Sequence, residues 1–211
     1  MKFNSEHEEY VYGIAGPGDG SVDSPIGWFA VVHLTEEADA AAATALGGQH
    51  VVVRENSDGI VTFTAFTTED EAADAARMLQ NAYDLWDEGI DDEDARAAID
   101  AYRQAAEFTA TDGDGDSLDG LGIPFSIAAQ NEMRNDVIEF ITANANECRA
   151  FVENGRSWTQ VGIDFWLTRN GHGAGFWDRG AGEVGVRLTE ASKAYGESSL
   201  YVSDAGEFEV Q

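Results

Sequence analysis

The stretch Gln49-His50-Val51-Val52-Val53-Arg54, then Glu55-Asn56-Ser57-Asp58-Gly59, then Ile60-Val61-Thr62-Phe63-Thr64-Ala65-Phe66 decides the fold class. Two strand-length runs rich in β-branched and aromatic residues flank a cluster of turn formers, which is the signature of a hairpin. The next residues, Thr67 and Thr68, stand three positions before Asp70 and Glu71 and offer capping boxes. Beyond them Ala72, Ala76, Leu79, Tyr83 and Trp86 recur at intervals of three or four, so an amphipathic helix follows the hairpin. A hairpin leading directly into a helix points to an α+β protein.

Working upstream, Gly27 to Leu34 is a continuous apolar run of strand length, read as buried on both faces. Thr35 can cap an alanine-rich helix over Glu36 to Leu46, which Gly47-Gly48 ends. Glu9 to Ile14 reads as a strand and Gly16-Pro17-Gly18-Asp19-Gly20 as a turn, which gives a ββαββα-like N-terminal unit. Downstream, a connecting helix is expected over Asp91 to Glu107, with Ala95, Ile99, Tyr102 and Ala106 inward. A long helix is expected from Ser126 to Glu153, with Met133, Val137, Ile141, Ala145, Cys148 and Val152 as its apolar stripe. Two short strands, Asp164 to Arg169 and Gly175 to Asp178, then a helix over Glu183 to Tyr195 and a closing hairpin (Leu200 to Val202, Glu207 to Val210) complete an αββαββ-like C-terminal unit. The Gly/Asp-rich stretch from Thr111 to Gly122 marks the expected boundary. Domains are therefore expected at 1–110 and 126–211, with a linker at 111–125.

Charge bounds the function more tightly than any motif. Forty acids face twelve Lys and Arg, for a net charge of −28. Such a surface repels phosphate backbones and anionic membranes, which disfavours direct binding of nucleic acid or lipid headgroups. No apolar run is long enough to span a bilayer, no secretory h-region is visible at the N-terminus, and Cys148 is the single cysteine. Together these features point to the cytoplasm, or to a host's cytoplasm for a viral protein. Divided at residue 125, the charge is uneven: residues 1–125 hold 27 acids and 5 bases, residues 126–211 hold 13 and 7. An acidic surface is expected at Asp84, Asp87, Glu88, Asp91, Asp92, Glu93 and Asp94. The last four also suit the positive end of a helix dipole.

Motifs for chemistry are sparse. Asp112-Gly113-Asp114-Gly115-Asp116-Ser117 opens like an EF-hand loop, but Ile123 stands where a closing Glu is needed, so a solvated acidic linker is the better reading. His7, His33, His50 and His172 lack zinc-ligand spacing, and His33 and His50 read as hydrogen-bonded core imidazoles. No cofactor motif and no metal site is expected. The most suggestive segment gathers Trp166, Arg169, His172, Trp177, Asp178 and Arg179 around Gly171, Gly173, Gly175 and Gly180. Trp and Arg recur at binding hot spots, and glycines allow close backbone approach. The competing reading is a tight hairpin whose aromatics cap the core and whose arginines pair with nearby acids.

The run from Asp164 to Gly180, with Leu188-Thr189-Glu190-Ala191, Ala194-Tyr195-Gly196 and Leu200-Tyr201-Val202, resembles a small module recurring in proteins of phages and mobile elements. The resemblance covers about residues 160–211, implies a viral or mobile-element origin, and assigns no catalytic residue.

Three functional readings follow. The first is a non-enzymatic interaction protein whose acidic N-terminal part imitates nucleic acid and occupies a basic partner, such as a host DNA-binding or defence protein. At one charge per about 1.7 Å of duplex, the N-terminal excess of 22 matches roughly one helical turn. The second is a halophile-adapted viral structural or assembly protein, since only Lys2 and Lys193 are lysines. The third, least supported, is a hydrolase using His172 and Asp178.

Overall fold

The computed structural model describes residues 5–15, 19–21, 27–34, 36, 39–55 and 60–211, and they form a mixed α+β protein of two units, Met1–Gly89 and Ile90–Gln211. In the first unit the order is α1 (Glu6–Ala15), β1 (Asp19–Ser21), β2 (Gly27–His33), α2 (Ala40–Leu46), β3 (His50–Glu55), β4 (Val61–Phe66) and α3 (Glu69–Asp87). The expected hairpin is present, with Val51 opposite Ala65 and Val53 opposite Phe63, and β2 adds antiparallel to β3 in a sheet of order β1-β2-β3-β4. Within the hairpin turn, residues 56–59 lie outside the described residues, as does the Thr35 cap. The turn expected at 16–20 is described only at Asp19 and Gly20, which open β1.

Alternation along the strands sorts the sheet into two faces. Val32, Val51, Val53, Phe63 and Ala65 share one face and pack with Val11 of α1 and with Ala42 and Ala43 of α2. Phe29 and Val52 are buried on the opposite face, and α3 touches all four strands. β2 therefore buries residues on both faces, as its unbroken apolar run predicts. Thr68 caps α3: its hydroxyl accepts from the Glu71 N–H while the Glu71 carboxylate accepts from the Thr68 N–H.

One element here differs in kind from the sequence expectation. Residues Glu9 to Ile14 are helical, not a strand, because Ser5 Oγ accepts from the Glu8 N–H at the helix start, and Val11 and Ala15, one turn apart, both face the sheet. The unit therefore reads αββαββα. α2 is also shorter than expected and begins at Ala40.

The second unit comprises α4 (Asp92–Thr109), α5 (Ile127–Ala143), α6 (Ala145–Glu153), α7 (Trp158–Arg169), a 3-10 turn (Phe176–Asp178), α8 (Gly182–Lys193) and a ribbon of β5 (Leu200–Val202) and β6 (Phe208–Val210). The long helix expected over 126–153 is two helices. At Asn144 the side-chain amide donates to the Phe140 carbonyl at 2.8 Å, and the backbone leaves helical geometry. The strands expected at 164–169 and 175–178 are the end of α7 and the 3-10 turn, so the αββαββ order does not hold. Ser157 caps α7 through the Gln160 N–H, and the helix is buried on nearly every side, which erases the period that would mark it as helical. At its crossing with α4, a Cβ on Gly162 would stand 2.0 Å from the Ala98 carbonyl oxygen, so glycine sets the approach of the two helices.

That crossing also places the chain division. Helix α4 buries Ala95, Ile99, Tyr102 and Ala106, the expected stripe, and packs along α7. The boundary accordingly falls at Gly89 and not at 111–125. Residues 111–118 fold back within the second unit: Leu118 is buried, its N–H donates to the Ala110 carbonyl, and the Asp112 carboxylate accepts from the Asp114 and Asp116 N–H groups. Among the described residues no helix is long and apolar enough to cross a membrane.

Candidate functional site in the C-terminal unit

The suggestive segment Trp166 to Arg179 starts in the last turn of α7, and its position in a packed helix settles what most of its side chains touch. Trp166 is buried and donates from Nε1 to Thr109 Oγ1 at 2.9 Å. Tyr102 of α4 sits between Phe165, stacked at 5.1 Å between centroids, and Trp166, edge-on at the same distance. Phe165 in turn stacks on Phe140 at 4.0 Å. Such aromatic pairs add to the stability that burial of their area already gives.

Arg169 is the hub of this layer. It is buried, and its guanidinium donates to Tyr102 Oη at 2.6 Å, to the Asp136 carboxylate, and to the carbonyls of Gly196 (2.8 Å) and Tyr195 (3.1 Å). Burial works against its positive charge, but Tyr102 and Asp136 outweigh that penalty and hold the guanidinium more firmly charged than usual. The Tyr102 hydroxyl, buried beside them, is pushed well above the ordinary tyrosine range, chiefly by desolvation. Arg169 thereby ties α4, α5, α7 and the end of α8 together.

Arg179 makes a second tie. Its Nε and Nη2 grip both oxygens of Asp164 at 2.6–3.1 Å, and Asp164 is wholly buried, with a further hydrogen bond from Gln160 Nε2 at 2.8 Å. The hydrogen bond to Asp164 is the largest influence on Arg179 and raises its affinity for the proton. Between the two ties, Gly175 lies so close to Thr168 that a Cβ would stand 2.3 Å from its hydroxyl oxygen. The Phe176 N–H donates to that same hydroxyl at 3.1 Å.

The remaining predicted residues separate. Asp178 accepts from the Gly175 N–H at 3.2 Å and lies 3.5 Å from Arg179 Nε, so it caps the 3-10 turn. His172 instead lines a polar cleft of about 380 Å³ together with Thr109, Trp166, Asn170, Glu197 and Ser199. Asp178 does not line that cleft, so the acid–base pair is not assembled there. Trp177 is 57 % exposed.

Of the expected acidic surface, Asp84, Asp87 and Glu88 end α3, where the helix dipole disfavours them, and Asp84 accepts from Gln80 Nε2 at 2.6 Å. Asp91 caps α4 through the Asp94 N–H, with Asp92 and Glu93 exposed in its first turn. Burial, then Asp91, pushes the Asp94 carboxyl above its ordinary range.

A second concavity of about 420 Å³ was not anticipated from sequence. Phe108, Ile163 and Leu167 form its apolar part, and Gln104, Glu107 and Asp119 stand around it. Phe108 is 70 % exposed. Its signal in the sequence is an aromatic residue off the stripe of α4, beside an i, i+4 pair on α7. Among the described residues no group of three or more His, Cys, Asp and Glu could hold a metal ion, the Asp112–Asp119 loop included. No protein-family model, no curated protein and no solved structure matches this chain.

Proposed function

We propose that this chain is a non-enzymatic, acidic interaction protein of a salt-rich cytoplasm, and that its second unit takes an apolar, positively flanked segment of a partner into the groove at Phe108. The observation that carries this reading is the groove itself: exposed Phe108 and half-buried Ile163 and Leu167 stand beside Glu107 and Asp119 in a unit of strongly negative charge. Exposed apolar surface rimmed by one sign of charge fits a partner with a buried anchor and basic neighbours. Trp166, Arg169 and Arg179, by contrast, are consumed in packing.

The acidity itself reads as solvent adaptation. At the Gly89 boundary, residues 1–89 hold 17 acids and 3 bases, and residues 90–211 hold 23 and 9, so each unit carries a net −14. Equal net charge on the two units supports solvent adaptation over a nucleic-acid mimic confined to the N-terminal part. A viral or mobile-element origin, as the resemblance of residues 160–211 implies, is compatible with this reading and not required by it.

A cationic amphipathic peptide of alternating leucine and lysine blocks serves as the probe, with binding followed by fluorescence in low and in molar KCl. Wild-type protein should retain part of its affinity in molar KCl, and Phe108→Ser should lose it. Equal binding by both proteins, abolished by salt, would mean that the peptide meets only diffuse charge and that the groove is not a docking site.

A further inference from the structure

We propose that His33 and His50 form a two-nitrogen chelating subsite for a divalent transition-metal ion of the copper or nickel class. The two residues are 17 apart in sequence and stand directly opposite each other on β2 and β3. The Leu34 N–H donates to the Gln49 carbonyl, which makes 34/49 a hydrogen-bonded pair. His33 and His50 are then the adjacent non-hydrogen-bonded pair, the kind whose side chains approach more closely. Their Nδ1 atoms are 2.8 Å apart, their ring centroids 5.1 Å apart, and His33 is exposed to solvent.

That spacing is close to the bite of a chelate. Imidazole nitrogens lie about 2.0–2.1 Å from a bound metal, so two of them at right angles are separated by about 2.9 Å, and at a tetrahedral angle by about 3.3 Å. The observed 2.8 Å matches the square-planar angle preferred by Cu²⁺ and Ni²⁺ and is short for tetrahedral zinc. Without metal, one ring donates its Nδ1 proton to the other. For chelation that ring carries its proton on Nε2 instead, and small rotations about χ2 turn both Nδ1 lone pairs to the ion. Water can complete the coordination, because among the described residues no third His, Cys, Asp or Glu joins the pair. The net −14 of the first unit raises the local concentration of cations around it. A bound ion would clasp β2 to β3 at the end of the sheet where β4 passes into α3.

The probes are Cu²⁺ and Ni²⁺ alone, added to the full chain. Electron paramagnetic resonance of the Cu²⁺ form should show superhyperfine coupling to two nitrogens, falling to one in His33→Gln or His50→Gln. Ni²⁺ affinity should fall about tenfold or more in either variant and stay unchanged in His172→Gln. Independently of any variant, Ni²⁺ should protect His33 and His50 of the wild-type chain from diethylpyrocarbonate, mapped by peptide mass spectrometry, and leave His172 reactive. A two-nitrogen pattern that persists in His33→Gln, equal Ni²⁺ affinity across the variants, or absence of protection would each overturn the proposal.

Discussion

Replacing Arg179 by alanine tests whether the 166–179 segment is core or recognition surface. The wild-type guanidinium supplies three N–H contacts to Asp164, whose side chain is fully enclosed, while Arg179 itself is 27 % exposed. Stranding a buried carboxylate costs about 3–5 kcal/mol. Here Gln160 still donates at 2.8 Å, and water can enter along the path that Arg179 leaves. With that relief the loss should be about 2–3 kcal/mol. For a unit of this size it would lower the unfolding midpoint by about 10 °C. In an Asp164→Asn background there is no charge to strand, so the same Arg179→Ala change should cost under about 1 kcal/mol. Urea unfolding of the four proteins, followed by circular dichroism in matched KCl, gives the coupling directly. Equal costs in the two backgrounds, or a midpoint within about 1 °C of wild type, would show that the pair does not support the fold.

Three further outcomes follow from charge and burial. Raising KCl from about 0.1 M to about 1 M shortens the Debye length from about 10 Å to about 3 Å and should raise the thermal midpoint steeply; a midpoint that is flat or falls with salt would contradict solvent adaptation. On the alkaline side, burial pushes the Tyr12 and Tyr195 hydroxyls from 10.0, and the Cys148 thiol from 9.0, up to about 12. Each is held neutral by the fold, so its contribution is complete below the unfolded pKa and is lost as pH rises from about 9 towards 12. Thermal midpoints should fall over that window, and Cys148 should resist iodoacetamide until the chain unfolds; alkylation of the folded protein would show that the thiol is accessible.

Local signals read correctly where one face of an element is dry and the other wet. Strand β4, the capped helix from Glu69, the stripe of α4 and helix α8 have that character, while β2 and β3, dry on both faces, show it as unbroken apolar runs. Two other elements are helical where their residues read as strand. Glu6–Ala15 contains Tyr10, Val11 and Tyr12, whose strand preference is overruled by a serine at the helix start and by Val11 and Ala15 meeting the sheet. α7 is buried on most sides and carries Ile163 and Leu167 even on its more open face, so its apolar residues show no period, and its aromatics imitate a strand.

The candidate residues divide in the same way. Composition determined the acidity, the poverty in lysine and the absence of recognisable catalytic spacing, because those are properties of the chain as a list of residues. What Trp166, Arg169 and Arg179 do depended on Thr109, Asp136 and Asp164, acceptors that lie 57, 33 and 15 residues away. The facing of His33 and His50 required the register of β2 on β3; they stand at the end of the face that also carries Phe29 and Val52, His33 exposed and His50 half-buried. The place where the chain divides, and with it the equal sharing of charge, was decided by α4 packing against α7. Contacts between residues distant in sequence carry no local pattern, so only the tertiary structure could bring these groups together.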